Sequence, residues 1–132
     1  MSYRGNIIKE TQANNFFRKV IYTGEKSQLV VMEIPVGGDV GEEVHERVEQ
    51  WLFFHSGKGK ALVGEKEFEV SSGDVIIVSP NTRHNFTNIG DTPLKIYTIY
   101  TPPNHIDGRV HTTKEEAEKD TEDEEFGHNI GS

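Results

Sequence analysis

Residues Gly37 to Gly57 read GGDVGEEVHERVEQWLFFHSG, and this stretch decides how the rest of the chain is read. Glu43 and His45 stand two apart, so on an extended strand both side chains point to the same face. A carboxylate and an imidazole together on one face of a sheet make two ligands of a metal site. Gln50 follows a short polar break and opens the run toward WLFF. If Gln50 faces inward, Leu52 and Phe54 face inward with it. The remaining ligand has to come from elsewhere. The best candidate is His84, in a second patterned stretch at residues 73–88, GDVIIVSPNTRHNFTN.

Together the two stretches resemble the paired motifs of the cupin superfamily. The family's first motif, G(x)5HxH(x)4E(x)6G, is met here by Gly37, Glu43, His45, Gln50 and Gly57, with every spacing kept and two ligand types changed. The second, G(x)5PxG(x)2H(x)3N, is matched in every spacing by Gly73, Ser79, Asn81, His84 and Asn88, with Ser79 in place of the proline and Pro80 one place on. Asn81 stands where the family has glycine, a mild change because Asn tolerates the left-handed backbone region. The resemblance covers roughly residues 16–101. It implies an all-β fold, a single double-stranded β-helix or jelly-roll barrel, with Glu43, His45, Gln50 and His84 as the metal set. It implies no particular reaction, because this fold hosts many chemistries.

Each of these residues also has a plainer reading. His45 alone is an ordinary strand histidine, and His84 alone is a turn histidine capping the backbone. Finding both at the family's spacing favours ligands. Glu42 and Glu43 after Gly41 could form a solvated turn, so the role of Glu43 depends on its parity with His45. A neutral amide binds metal less well than a carboxylate, which makes Gln50 the weakest member. Its neighbour Glu49 is the rival, pointing to the opposite face if the motif register holds. Two histidines and one carboxylate keep about the charge of the family's usual three-histidine, one-glutamate site. The family's phosphomannose isomerases use Gln, His, Glu and His, which is the set found here with Gln and Glu exchanged. Such a mixed N/O site suits a divalent Zn, Mn, Fe, Co or Ni ion.

At 132 residues the chain is sized for one domain with its own core. No apolar run is long enough to span a bilayer, and no secretory leader is legible at the N-terminus. The absence of cysteine excludes disulfides and thiolate ligands. A cytoplasmic protein is the expectation, with no membrane partner. The net charge of −8 argues against nucleic acid, although much of it sits after Thr113.

Residues 1–15 show no clear period and read as an N-terminal arm. From Phe16 the chain becomes a series of short β-runs: FFRKVIYT, QLVVMEIP, EEVHER, EQWLFF, KGKALVG, KEFEV, VIIVS, HNFTN and PLKIYTIYT. Turn signals separate them, which is the mark of a sandwich or barrel. The continuous run VIIVS suggests burial on both faces. Residues 102–132 read as a loop, a short helix begun by the capping box at Thr113 to Glu116, and a frayed acidic tail holding His128. The segment around YTIYTPPNHIDGRVH also resembles small bacterial cupins labelled mannose-6-phosphate-isomerase-like. His105 and His111 could fold back over a barrel mouth, although surface positions are the plainer expectation.

Trp51, Phe53 and His55 fall on the face opposite Gln50. That face is covered either by the N-terminal arm or by a second subunit, with the lean toward a homodimer. No nucleophile elbow, dinucleotide fingerprint or phosphate loop is present. Three functions remain open: a metal-dependent enzyme such as an isomerase acting on a small polar or sugar-like molecule, a metal-dependent dioxygenase or other oxidoreductase, and a non-enzymatic ligand-binding or sensor module.

Overall fold

A computed structural model describes residues 2–129. Nine strands form two antiparallel sheets: β1 Arg18–Thr23, β2 Gln28–Ile34, β3 Glu49–Ser56, β4 Lys58–Val63, β5 Lys66–Ser71, β6 Val75–Val78, β7 His84–Asn88, β8 Leu94–Thr101 and β9 Val110–His111. The larger sheet runs β6-β3-β8-β2-β1-β9 and the smaller β5-β4-β7. Alternation along each strand puts one set of side chains between the sheets. Val30, Met32 and Ile34 come from β2, Leu52 and Phe54 from β3, and Leu94 and Ile96 from β8, all buried. Phe54 meets Phe86 of the opposite sheet edge to face, with ring centroids 5.7 Å apart. The result is an all-β jelly-roll barrel with an apolar interior.

Gly57 makes the step from one sheet to the other. Its φ is +95°, and a Cβ there would lie 2.8 Å from the Pro93 carbonyl oxygen, so only glycine lets β3 turn directly into β4. Asn81 has φ +63°, as its tolerance of the left-handed region suggested. The motif's last residue, Asn88, is buried and donates its side-chain amide to the Ile34 and Thr92 carbonyls.

Several segments differ from the sequence expectation. The first is EEVHER, which forms no strand. Its pairing is limited to the isolated bridge between Glu43 and His84, and the ninth strand is instead Val110–His111, laid against β1 with His111 opposite Arg18. VIIV is not buried on both faces. As the outer strand of the larger sheet it exposes Val75 and Ile77 and buries Ile76 and Val78. The N-terminal arm contains a helix, α1 Ile7–Ala13, which Asn6 caps by accepting from the Lys9 amide. Lys95 of β8 donates to the Gln12 and Asn14 carbonyls, fastening the end of α1 to the sheet.

The C-terminal segment is also more ordered than its composition suggests. Thr113 caps α2 Lys114–Lys119 by accepting from the Glu116 amide, the expected capping geometry. The acidic stretch that follows is helix α3, Thr121–Asn129. Asp120 accepts from the Asp123 amide at its start. The first turn carries Glu122, Asp123 and Glu124, which complement the positive end of the helix dipole. Burial of Asp123 then docks α3 on the loop after β8. Among the described residues no helix is long and apolar enough to cross a membrane.

Candidate metal centre

Three side chains separated in sequence converge because of one two-residue bridge. Glu43 and His84 exchange both backbone hydrogen bonds at 2.9 Å, so they sit directly opposite and present their side chains to one face. His45 lies two residues along and keeps that face. Its carbonyl accepts from the Asn81 amide at 2.7 Å, which ties the left-handed turn of the second motif to the first. The candidate ligand atoms of Glu43, His45 and His84 all lie within 4.8 Å of one another.

The donor chemistry fits a divalent ion. His84 donates Nδ1–H to the Thr82 carbonyl at 2.8 Å, which leaves Nε2 with its lone pair. Metal-binding histidines are oriented by this kind of bond. His45 Nε2 lies 3.0 Å from Glu43 Oε2 but is out of line for a hydrogen bond. That separation is close to the distance of about 3.0 Å between neighbouring ligands around an octahedral ion with bonds of about 2.1 Å. Burial pushes the Glu43 carboxyl up, yet its contact with His45 and the charge of Arg18 outweigh this and hold its pKa down to about 2. Burial is also the strongest influence on His84. It pushes the imidazole below its ordinary value, despite the Thr82 carbonyl favouring the protonated ring. The pair is therefore a carboxylate and a neutral imidazole at neutral pH.

Gln50 faces the interior from β3 and is only 4% exposed. Its amide nitrogen donates to Thr98 Oγ1 at 3.1 Å, while its Oε1 is buried with no donor among the described residues. A buried oxygen without a donor suits the shell of a cation. Glu49 points the other way and accepts from Trp51 Nε1 at 3.1 Å on the outer face. The parity read from the motif thus holds along β3.

A cavity of about 500 Å³ opens beside this cluster, in the range of small-molecule sites. Its walls include Arg18, Glu43, His45, Val48, His105 and Asp123, and α2 and α3 contribute the rim. Two of these, Arg18 and Asp123, escaped the sequence reading, whereas His105 was raised there as a residue that could fold back over a barrel mouth. Arg18 was only a letter in the first β-run, yet it is 6% exposed, and its Nη2 lies 3.9 Å from Glu43 Oε1. The alternation Arg18, Val20 on β1 was the available signal, because it sets a charge at an inward position. Asp123 had no signal, since it meets His105 only through the docking of α3. Neither His105 nor His111 is a surface residue; both are buried. His105 Nδ1 lies 2.7 Å from Asp123 Oδ2, and His111 Nε2 lies 2.8 Å from Asp120 Oδ2. His111, Asp120 and Asp123 form a second close group. Their atoms are engaged with His105, the Ile106 amide and Arg109, which makes this group the clasp of the C-terminal segment. His128 stands at the exposed rim of the cavity on α3 rather than in a frayed tail.

The Cupin_2 family, described as Cupin domain, matches residues 30–100. An uncharacterized protein of Bacillus subtilis, YrkC, is 40% identical over 118 residues, which cover 85% of this chain and 63% of that protein. The chain thus spans somewhat less than two thirds of that relative. The crystal structure of BH2720 from Bacillus halodurans superposes with a TM-score of 0.88 at 37% identity, covering 89% of this chain and 94% of that one. A shorter stretch of 60 residues is 37% identical to the mannose-1-phosphate guanylyltransferase RfbM of Salmonella typhimurium, covering 46% of this chain and 12% of that protein.

Proposed function

The chain belongs to the cupin-domain family, and on that premise we propose that it binds one divalent metal ion and uses it on a small polar, sugar-like molecule held in the adjoining cavity. The observation that carries this reading is the convergence of Glu43, His45 and His84, of which Glu43 and His45 line that cavity. Glu43 would supply the charged oxygen, His45 and His84 the nitrogens, and Gln50 its unpaired Oε1. When bound, the ion supplies Lewis-acid polarisation of a carbonyl or hydroxyl oxygen. The chain's own part is to hold that oxygen, exclude bulk water and keep the surrounding groups in fixed protonation states. Tyr100, pushed up to about 12 by burial, stays protonated and packs its ring edge-on against His45. The resemblance to a short part of a sugar-nucleotide enzyme supports a hydroxylated ligand and the mannose-6-phosphate-isomerase-like label.

Elemental analysis of the purified protein, then turnover assays on a panel of sugars and sugar phosphates with and without oxygen, tests this reading. Oxygen-independent isomerisation supports it. Oxygen consumption with a bound iron or manganese favours the dioxygenase reading. Ligand binding without turnover favours the sensor module. Absence of any stoichiometric metal overturns the proposal.

The outer face of the larger sheet supports a homodimer. Trp51 stands opposite Ile77 and Phe53 opposite Val75. Trp51 is 38% exposed, with Val75 and Ile77 more so. Helix α1 packs on β8 and β2 instead, so it leaves this apolar patch for a second copy of the chain.

A further inference from the structure

Buried polar atoms without partners mark where a missing ligand belongs. Among the described residues five such side-chain atoms occur, and three belong to residues that line the cavity: His45 Nε2, Arg18 Nε and His105 Nε2. The first is accounted for by the metal reading, and the other two are not. Arg18 and His105 meet around one ring. Tyr100 packs edge-on to His105 with centroids 5.0 Å apart and edge-on to His45 at 6.1 Å, and its hydroxyl faces the Arg18 guanidinium. The two residues therefore meet at the ring that also borders His45, and both line the cavity beside the metal cluster.

Their chemistry is complementary and specific. Arg18 Nε carries a hydrogen and can only donate, and its guanidinium is a permanent cation. His105 Nδ1 faces the Asp123 carboxylate, which can only accept, so the ring hydrogen sits on Nδ1 and Nε2 can only accept. Burial holds His105 down to about 4, which keeps that state at neutral pH. One side of the site thus wants an oxyanion, and the other wants a hydroxyl hydrogen.

We propose that the cavity binds a small hydroxylated anion, whose anionic oxygens receive Arg18 and whose hydroxyl donates to His105 Nε2. This deepens the function proposed above, since the same anion faces the ion held by Glu43, His45 and His84. The carboxylates of Glu46, Glu118 and Glu124 on the rim are exposed, whereas Arg18 lies at the floor. That gradient selects a ligand with one anionic end over a polyanion. A hydroxy-carboxylate and a sugar phosphate share this chemistry.

Calorimetric titration of the full chain, metal-loaded and metal-free, separates them. The probes are gluconate, glucose 6-phosphate, acetate and glucose. Gluconate or glucose 6-phosphate is expected to bind at least tenfold more tightly than acetate and glucose, and whichever does identifies the anionic group. Arg18→Lys is expected to weaken that ligand at least tenfold while metal content stays unchanged. His105→Gln is expected to reduce the preference for the hydroxylated anion over acetate. If a variant misfolds, nitrogen-15 spectra of the wild type still decide, because His105 Nε2 should shift with the bound anion and not with glucose. Weak binding in the metal-free protein alone would separate a missing ion from a missing anion site. Equal affinity for all four probes in both forms, or an unmoved His105 Nε2, overturns the proposal.

Discussion

Removing the Asp123 carboxylate should detach the C-terminal helix and lower stability substantially. Asp123 is 5% exposed, and its two oxygens each accept one hydrogen bond of 2.7 Å, from His105 Nδ1 and from the Ile106 amide. Burial raises its pKa, but the His105 contact outweighs this and leaves it below the ordinary aspartate value, so the carboxylate is ionised at neutral pH. Hydrogen bonds to a charged group are worth about 1.5–3 kcal/mol each. Asp123→Ala removes both and strands two buried donors, so the expected loss is about 3–5 kcal/mol. For a domain of this size that corresponds to a melting temperature lower by about 10–18 °C. Glu122→Ala is the control, because Glu122 is largely exposed and pairs only with Arg109, a contact worth about 0–1 kcal/mol. Urea unfolding gives the stability difference, and amide hydrogen exchange in α3 reports local detachment. If Asp123→Ala matched Glu122→Ala in both measurements, the clasp would be decorative and the cavity rim unanchored.

Phe54→Ala empties the centre of the barrel opposite Phe86 and should cost about 3–5 kcal/mol by urea unfolding, whereas Phe68→Ala, at an exposed position, should be nearly silent; equal costs would reverse the inward and outward faces. Trp51→Glu should convert a dimer to a monomer in sedimentation, and an unchanged oligomeric state would remove the proposed interface. His84 and His105 both titrate below the ordinary histidine value in the folded protein. The unfolded chain therefore takes up these protons first, and their contribution to stability is whole above about pH 6.5. For His105 it declines as pH falls below that value and stops declining below about 4. Melting curves of the metal-free protein between pH 7 and 4 should show this decline, with a shallower slope in His105→Gln; identical slopes would contradict it.

The strands were legible because their residues alternate, and the motif spacing placed Glu43, His45, Gln50 and His84 on common faces without any knowledge of packing. What could not be read depended on contacts between distant segments. EEVHER reads as a strand from the parity of Glu43 and His45, but its pairing with the second motif is confined to the Glu43–His84 bridge. VIIV is apolar throughout, yet its place at the sheet edge exposes every second residue. The acidic tail looked disordered because few of its residues are apolar. Its order comes from one buried carboxylate and a helix start suited to negative charge. His105 acquires its role only when α3 docks and Asp123 reaches its Nδ1.

The central claim is the position of the ion. Crystals grown with zinc or manganese and measured at the metal's absorption edge locate it directly. One anomalous peak per chain is expected, about 2.0–2.2 Å from a Glu43 oxygen and from the Nε2 atoms of His45 and His84, and it should vanish in His45→Ala crystals with the barrel unchanged. A peak at Glu49 or at the His111, Asp120 and Asp123 group, or none beside His45 and His84, would contradict it.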